Sequence, residues 1–149
     1  MAAAIEVLID HDAAGWTLTF GSAGVVTQLR VDYQLSLLLD GGGIIVLESD
    51  FELVAEDRAI RVPVGRVPPE VAPALELLGE QVATCRLMES GELVVRFVAG
   101  PELRVGAGQQ YDSWQVILGS DEQWVSEAGG RIAHFPARGT AARSGDRLG

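Results

Sequence analysis

One cysteine, Cys85, and two histidines, His11 and His134, are the residues of this chain best suited to nucleophilic, acid–base or metal-binding chemistry. A reactive Cys85 would need electropositive, partly exposed surroundings that hold its thiolate. A zinc site at the histidines would need two further ligands at sensible spacing, and the lone cysteine falls on a core face. His11-Asp12 pairs a base with a carboxylate that could orient it, but neighbours on a loop seldom point together. Serines occur without a G-x-S-x-G elbow, and there is no phosphate-binding loop. Asp40-Gly-Gly-Gly43 superficially suggests a phosphate cradle, yet it joins two strands instead of opening a helix, so turn chemistry explains it. No converging set of titratable groups is present, so the chain is read as a non-enzyme with no catalytic residue, metal or cofactor.

Two other groups could bind. Arg30 and Arg86 could clamp an anion if their guanidiniums bracketed a common groove; otherwise each pairs with a nearby carboxylate such as Asp32 or Glu89. Arg58, Arg61 and Arg66 form a looser basic set. Tyr111, Trp114 and Trp124, together with Trp16 and Phe135, combine large apolar area with polar handles, as interface residues do. Bordered by Asp112, Asp121 and Glu122, they are the candidate protein interface. Core is the competing reading, since Trp114 alternates in phase with Val116 and Leu118.

The elements that must position these residues are repeated. Val26-Thr-Gln-Leu-Arg-Val31 matches Val82-Ala-Thr-Cys-Arg-Leu87. Leu35, Leu37, Leu39, Gly42, Ile45 and Leu47 then match Leu93, Val95, Phe97, Gly100, Leu103 and Val105. The second half of the match is offset by two more residues, an indel that a hairpin turn would tolerate. Each copy (25–49 and 81–106) reads as a three-stranded antiparallel meander with period-2 alternation. Register places Cys85 where the first copy has the core residue Leu29, and puts Arg30 and Arg86 on equivalent non-core positions. Free cysteine often packs as a small apolar residue, so Cys85 is read as structural.

Around the repeat, Ile5 to Ile9 reads as a first strand broken at His11-Asp12, and Trp16 to Phe20 as a second. Phe51 to Ala55 and Ala59 to Val64 are shorter candidates joined by a turn at Glu56 to Arg58. Pro68 and Pro69 open a helix of two to three turns whose apolar stripe is Val71, Leu75 and Leu78, closed by Gly79. Three short strands, Ser113 to Leu118, Gln123 to Ser126 and Arg131 to Phe135, end the fold. Residues 1–136 are expected to form one globular domain, and 137–149 a disordered tail. The fold class is α+β, mostly β: two three-stranded meanders with one short intervening helix, in a strongly bent sheet or partly open barrel.

Val31-Asp32-Tyr33-x-Leu35-x-Leu37-x-Leu39-Asp40-Gly41, the proline-entered helix, the second meander and Tyr111-x-x-Trp114 together resemble an uncharacterised family of small bacterial proteins. This family is a domain of unknown function common in GC-rich genomes. The resemblance covers roughly residues 16–135. It implies a shared fold and carries no catalytic residues over.

Composition narrows the function classes. The formal net charge is −10, and all eleven basic residues are arginine. Such an acid excess argues against nucleic acid, whose phosphates require a positive footprint. It suits solubility or a basic protein partner. No apolar run approaches the roughly 20 residues of a membrane-spanning helix. The N-terminus lacks the basic and apolar regions of a secretory signal, so a soluble, cytoplasmic protein is expected. At 48% hydrophobic residues the chain can build a core without disulfides or a structural metal. The reading is a non-catalytic binding module that engages a protein partner or a second copy as a homodimer; one specific form is an acidic, immunity-type protein. The alternative is a small-molecule or anion binder using a groove between the meanders.

Overall fold

The computed structural model describes residues 7–65 and 68–137, which form thirteen strands in two antiparallel sheets. The seven-stranded sheet runs β1 (Leu8–Asp12), β2 (Gly15–Thr19), β8 (Val82–Met88), β9 (Leu93–Phe97), β10 (Glu102–Val105), β6 (Phe51–Ala55), β7 (Arg58–Val62). The six-stranded sheet runs β13 (Ile132–Phe135), β12 (Gln123–Ser126), β11 (Trp114–Ile117), β5 (Ile44–Leu47), β4 (Leu35–Leu39), β3 (Val26–Val31). No barrel closes. The tail expected over 137–149 lies, from residue 138 onward, outside the described residues, as do Ile5 and Glu6.

The residues matched between the two meanders also hold matching strand registers. Leu29 pairs with Leu37 and Val31 with Leu35, as Cys85 pairs with Val95 and Leu87 with Leu93. Both carry a register shift at the same place, Val26/Gln28 in one and Val82/Thr84 in the other. The two-residue indel falls in the first hairpin turn. Asp32 to Gln34 suffices in copy one, where the Asp32 carboxylate accepts from the Gln34 N–H at 2.9 Å, while copy two extends the turn through Gly91, at φ 93°. A turn is where extra residues cost little, because the ladder on either side keeps its register.

The copies exchange their following strands. After β5 the chain crosses to the other sheet, where β6 pairs with β10 of the second meander. After β10 it crosses back, where β11 pairs with β5 of the first. The arrangement is pseudo-twofold, and equivalent residues meet at its start: Val25 and Gln81 form an antiparallel bridge. The Val25 carbonyl accepts from Asp40 N at 2.9 Å, and that of Gln81 from Val98 N at 2.8 Å, again at equivalent positions. Close approach at this junction requires a glycine, because a Cβ on Gly24 would lie 2.3 Å from the Val82 carbonyl oxygen.

Alternate residues of both sheets feed one apolar core, with Leu18, Phe51, Cys85, Leu93 and Leu103 from one and Leu35, Leu37, Ile45, Trp114 and Trp124 from the other. Asp40 to Gly43 forms the β4–β5 hairpin turn, with Gly42 at φ 93°. The β6–β7 turn, Glu56-Asp57, is tighter than the three residues expected. His11 and Asp12 continue β1 instead of breaking it, because the Asp12 carboxylate accepts from Ala14 N (2.9 Å) and Gly15 takes φ 133°, closing a two-residue turn after Asp12.

The segment Pro68–Leu77 is a 3₁₀ helix. The prolines lack donors, and the closing bonds, Leu78 N to Leu75 O (3.2 Å) and Glu80 N to Leu77 O (3.0 Å), span three residues. At three residues per turn the buried stripe becomes Val71, Ala74 and Leu77, and the expected Leu75 and Leu78 face solvent. Among the described residues no helix is long and apolar enough to cross a membrane.

Candidate functional site

Arg30 and Arg86 hold equivalent registers, opposite Ser36 and Val94, on strands whose core-facing neighbours are Leu29 and Cys85. Because the two meanders belong to sheets that face each other across the core, their non-core faces point away from one another. The structure therefore does not bring the two guanidiniums to one groove. Arg61 contacts Asp50 at 3.5 Å, and Arg66 lies outside the described residues.

The aromatic group divides as well. Trp114 and Trp124 are 0% exposed and belong to the core, so neither side chain can form the interface considered above. Trp114 donates Nε1–H to the Gly91 carbonyl at 2.8 Å, tying the six-stranded sheet to the long turn of the other copy. Tyr111 is 77% exposed and stands apart on the connection before β11. Cys85 is fully buried, and burial pushes its thiol well above the ordinary thiol range, which removes the thiolate needed for reactivity.

The two histidines, distant in sequence, converge on Trp16. His11, its cross-strand neighbour, stacks on it at 3.8 Å, and His134 approaches it at 4.5 Å. His134 also stacks on Trp124 at 5.0 Å and bonds Glu122 through Nε2 at 2.7 Å. This cluster clasps the β1–β2 edge of one sheet to the β12–β13 edge of the other. Among the described residues no serine or cysteine bonds either imidazole, and no group of three or more His, Cys, Asp and Glu is placed to hold a metal ion.

Two features were not anticipated from the sequence. The first is a cavity of about 500 Å³ where the two crossovers pass, lined by Glu48, Ser49, Asp50, Arg61 and Gly106 to Gly108. Its wall is fastened by Ser49 Oγ and Ser113 Oγ at 2.7 Å and by the Val64 N–H to Asp50 Oδ1 at 3.1 Å. The second is a difference between the two outer sheet faces. On the seven-stranded sheet, cross-strand rows read Thr17–Arg86–Val94–Arg104–Glu52–Arg61 and Thr19–Thr84–Arg96–Glu102–Val54–Ala59. Glu102 bonds both Arg96 (3.1 Å) and Arg104, and raises the Arg104 pKa by accepting its hydrogen bond.

On the six-stranded sheet the corresponding rows are Arg30–Ser36–Val46–Gln115–Val125–Ala133 and Gln28–Leu38–Ile44–Ile117–Gln123–Phe135. Leu38 replaces Arg96, Ile44 replaces Glu102 and Val46 replaces Arg104. Phe135 is 51% exposed at the edge of this face. Polar cover comes from a hydrogen-bond chain of Glu48, Gln115 and Gln123, at 3.0 and 2.8 Å. Around the rim Asp40, Glu48, Asp112, Asp121 and Glu122 have no arginine partner among the described residues. The signal was present in the sequence: Leu37-Leu38-Leu39, Ile44-Ile45-Val46-Leu47 and Val116-Ile117-Leu118 are continuous apolar runs, whereas Glu102-Leu103-Arg104-Val105 alternates. A strand apolar at every position has two apolar faces.

No curated protein and no solved structure matches the chain. The architecture that carries the repeat is nonetheless a shared one: the model of a family of unknown function, DUF6188, matches residues 16–136, and the chain belongs to that family.

Proposed function

We propose that this protein is a non-catalytic interaction module that binds a basic protein, in the manner of an acidic immunity-type protein. The observation that carries the proposal is the set of acids in the loops that flank strands of the six-stranded sheet, where Asp40, Glu48, Asp112 and Asp121 have no arginine partner among the described residues. Arg58, Arg61, Arg86, Arg96 and Arg104 all stand on strands of the seven-stranded sheet, whereas Arg30 is the one arginine on described strands of the other. A net charge of −10 favours encounter with a cationic partner through long-range steering. The test is titration of the purified chain with each basic protein encoded beside its gene. Binding should weaken about tenfold or more between roughly 0.05 and 0.5 M NaCl, as the Debye length shrinks. Absence of any such binding, or binding indifferent to salt, would refute the proposal.

The crossover cavity favours a second reading, a small polar ligand held by Glu48, Asp50 and Arg61. A thermal-shift screen of amines and amino acids against wild type and Asp50→Asn tests it. A hit that stabilises both chains equally would sink it.

A further inference from the structure

We infer that the outer face of the six-stranded sheet, centred on the partly exposed Leu38, Ile44 and Ile117 beside the buried Val46, with the exposed Phe135 at its edge, is the surface on which that basic partner docks. The inference rests on the basic-partner reading above and adds where the contact is made and what its centre requires.

Over the meanders and the two strands that follow each, both outer faces are built on the same registers, so there the faces can be compared residue by residue. On one, Glu102 bonds both Arg96 and Arg104; on the other, Leu38, Ile44, Ile117 and Phe135 lie side by side, with Gln115 and Gln123 among them. A sheet face that only meets water alternates polar residues outward, as β10 does. Continuous apolar strands facing outward resemble the centre of an interface, where charged residues are depleted, and the surrounding acids supply the polar rim. That rim also selects the occupant. A second copy would bring Asp40, Glu48, Asp121 and Glu122 against the same acids, whereas a partner with arginines or lysines around an apolar patch meets opposite charge at the rim and apolar surface at the centre.

The test places the photo-cross-linker p-benzoylphenylalanine at Ile117 or at its equivalent Val54, in cells producing the full chain. Adducts are expected from position 117 and not from 54. The partner identified in them should be a basic protein that, once purified, binds the wild-type chain. Its affinity should fall at least tenfold for the double variant Leu38→Arg, Ile44→Glu, which installs the pair found on the opposite sheet, provided the variant's circular dichroism and melting match wild type. Ile117→Gln, a milder change, should lower it about threefold. Adducts from position 54 alone, or unchanged affinity in both variants, would overturn the docking face while leaving the basic-partner reading standing. An acidic partner joined at 117 would overturn both. A cross-link to a second copy, or to the chain's own residues 138–149, would make that the occupant and overturn the inference. No adduct from either position would do the same.

Discussion

The two meanders pair their strands in the same registers, and beyond the shared Arg30 and Arg86 they differ in what their outer faces present. Copy one carries Leu38, Ile44 and Val46 where copy two carries Arg96, Glu102 and Arg104. The inner faces are interchangeable in kind, Leu35 and Leu37 against Leu93 and Val95, all buried. Packing across a single core holds the inner positions to apolar residues of matched volume. The outer positions do not belong to that core cluster, and it is there that the two copies diverge. The edges diverge too. Cys85 and Leu87 pair with β2 on one side of the second copy, while the start of β3 is bonded instead by the chain leaving the 3₁₀ helix, through Val26 with Gly79 and Glu80.

The largest expected effect tests the equivalence of the inner faces. Trp114 and Phe51 head the exchanged strands β11 and β6, and both are buried. Replacing either by Ala should destabilise by about 3–5 kcal/mol in urea unfolding, with Trp114→Ala the worse because its bond to Gly91 is also lost. A cost under about 1 kcal/mol at either site would break the comparison.

Next in size is Cys85→Ser, which places a hydroxyl in an apolar site and should cost about 1–3 kcal/mol. In the wild-type chain the thiol should resist Ellman's reagent at pH 8 and react fully in denaturant. Burial holds the thiol protonated through this range, so raising the pH to 9 should not restore reactivity while the fold persists. Rapid labelling of native protein would show that the second copy is looser than the first.

The outer faces should separate stability from recognition. The pair Leu38→Arg with Ile44→Glu should change unfolding free energy by no more than about 1 kcal/mol, since both positions are partly exposed on the outer face and the new pair restores a cross-strand contact. The reciprocal pair, Arg96→Leu with Glu102→Ile, should be equally mild but lower solubility by creating a second apolar face, measurable as the protein concentration at which light scattering rises. Smallest of all, Glu127→Gln removes an exposed contact to Arg131 at 4.0 Å and should shift stability by less than about 0.5 kcal/mol.

Much of this fold was legible in the chain. The alternation of Leu93, Val95 and Phe97 marks a strand, the repeat marks the scaffold, and the indel was placed in the turn that holds it. The helix stripe departs from α-helical spacing because the three prolines of this segment favour 3₁₀ geometry, which buries Val71, Ala74 and Leu77 instead of Leu75 and Leu78. Of the site residues, Cys85 could be placed by register alone. Trp114 and Trp124 could not be divided from Tyr111, since all three side chains suit both core and interface. The continuous apolar runs were visible as well, but they acquire meaning only when one face is known to be core.

By itself, the sequence determined the local order: strand periodicity, turn positions, the doubled meander and an acidic net charge. These depend on interactions between residues close in the chain, and on a pattern that repeats. Only the tertiary structure decided that the copies exchange their following strands, that Arg30 and Arg86 face opposite ways, that His11 and His134 meet at Trp16, and that the apolar outer face belongs to one sheet alone. The physical reason is that strand pairing across a crossover is selected by global packing. Either copy could have completed its own sheet with the same local hydrogen bonds, and the choice between the two lies in how one core is filled by both.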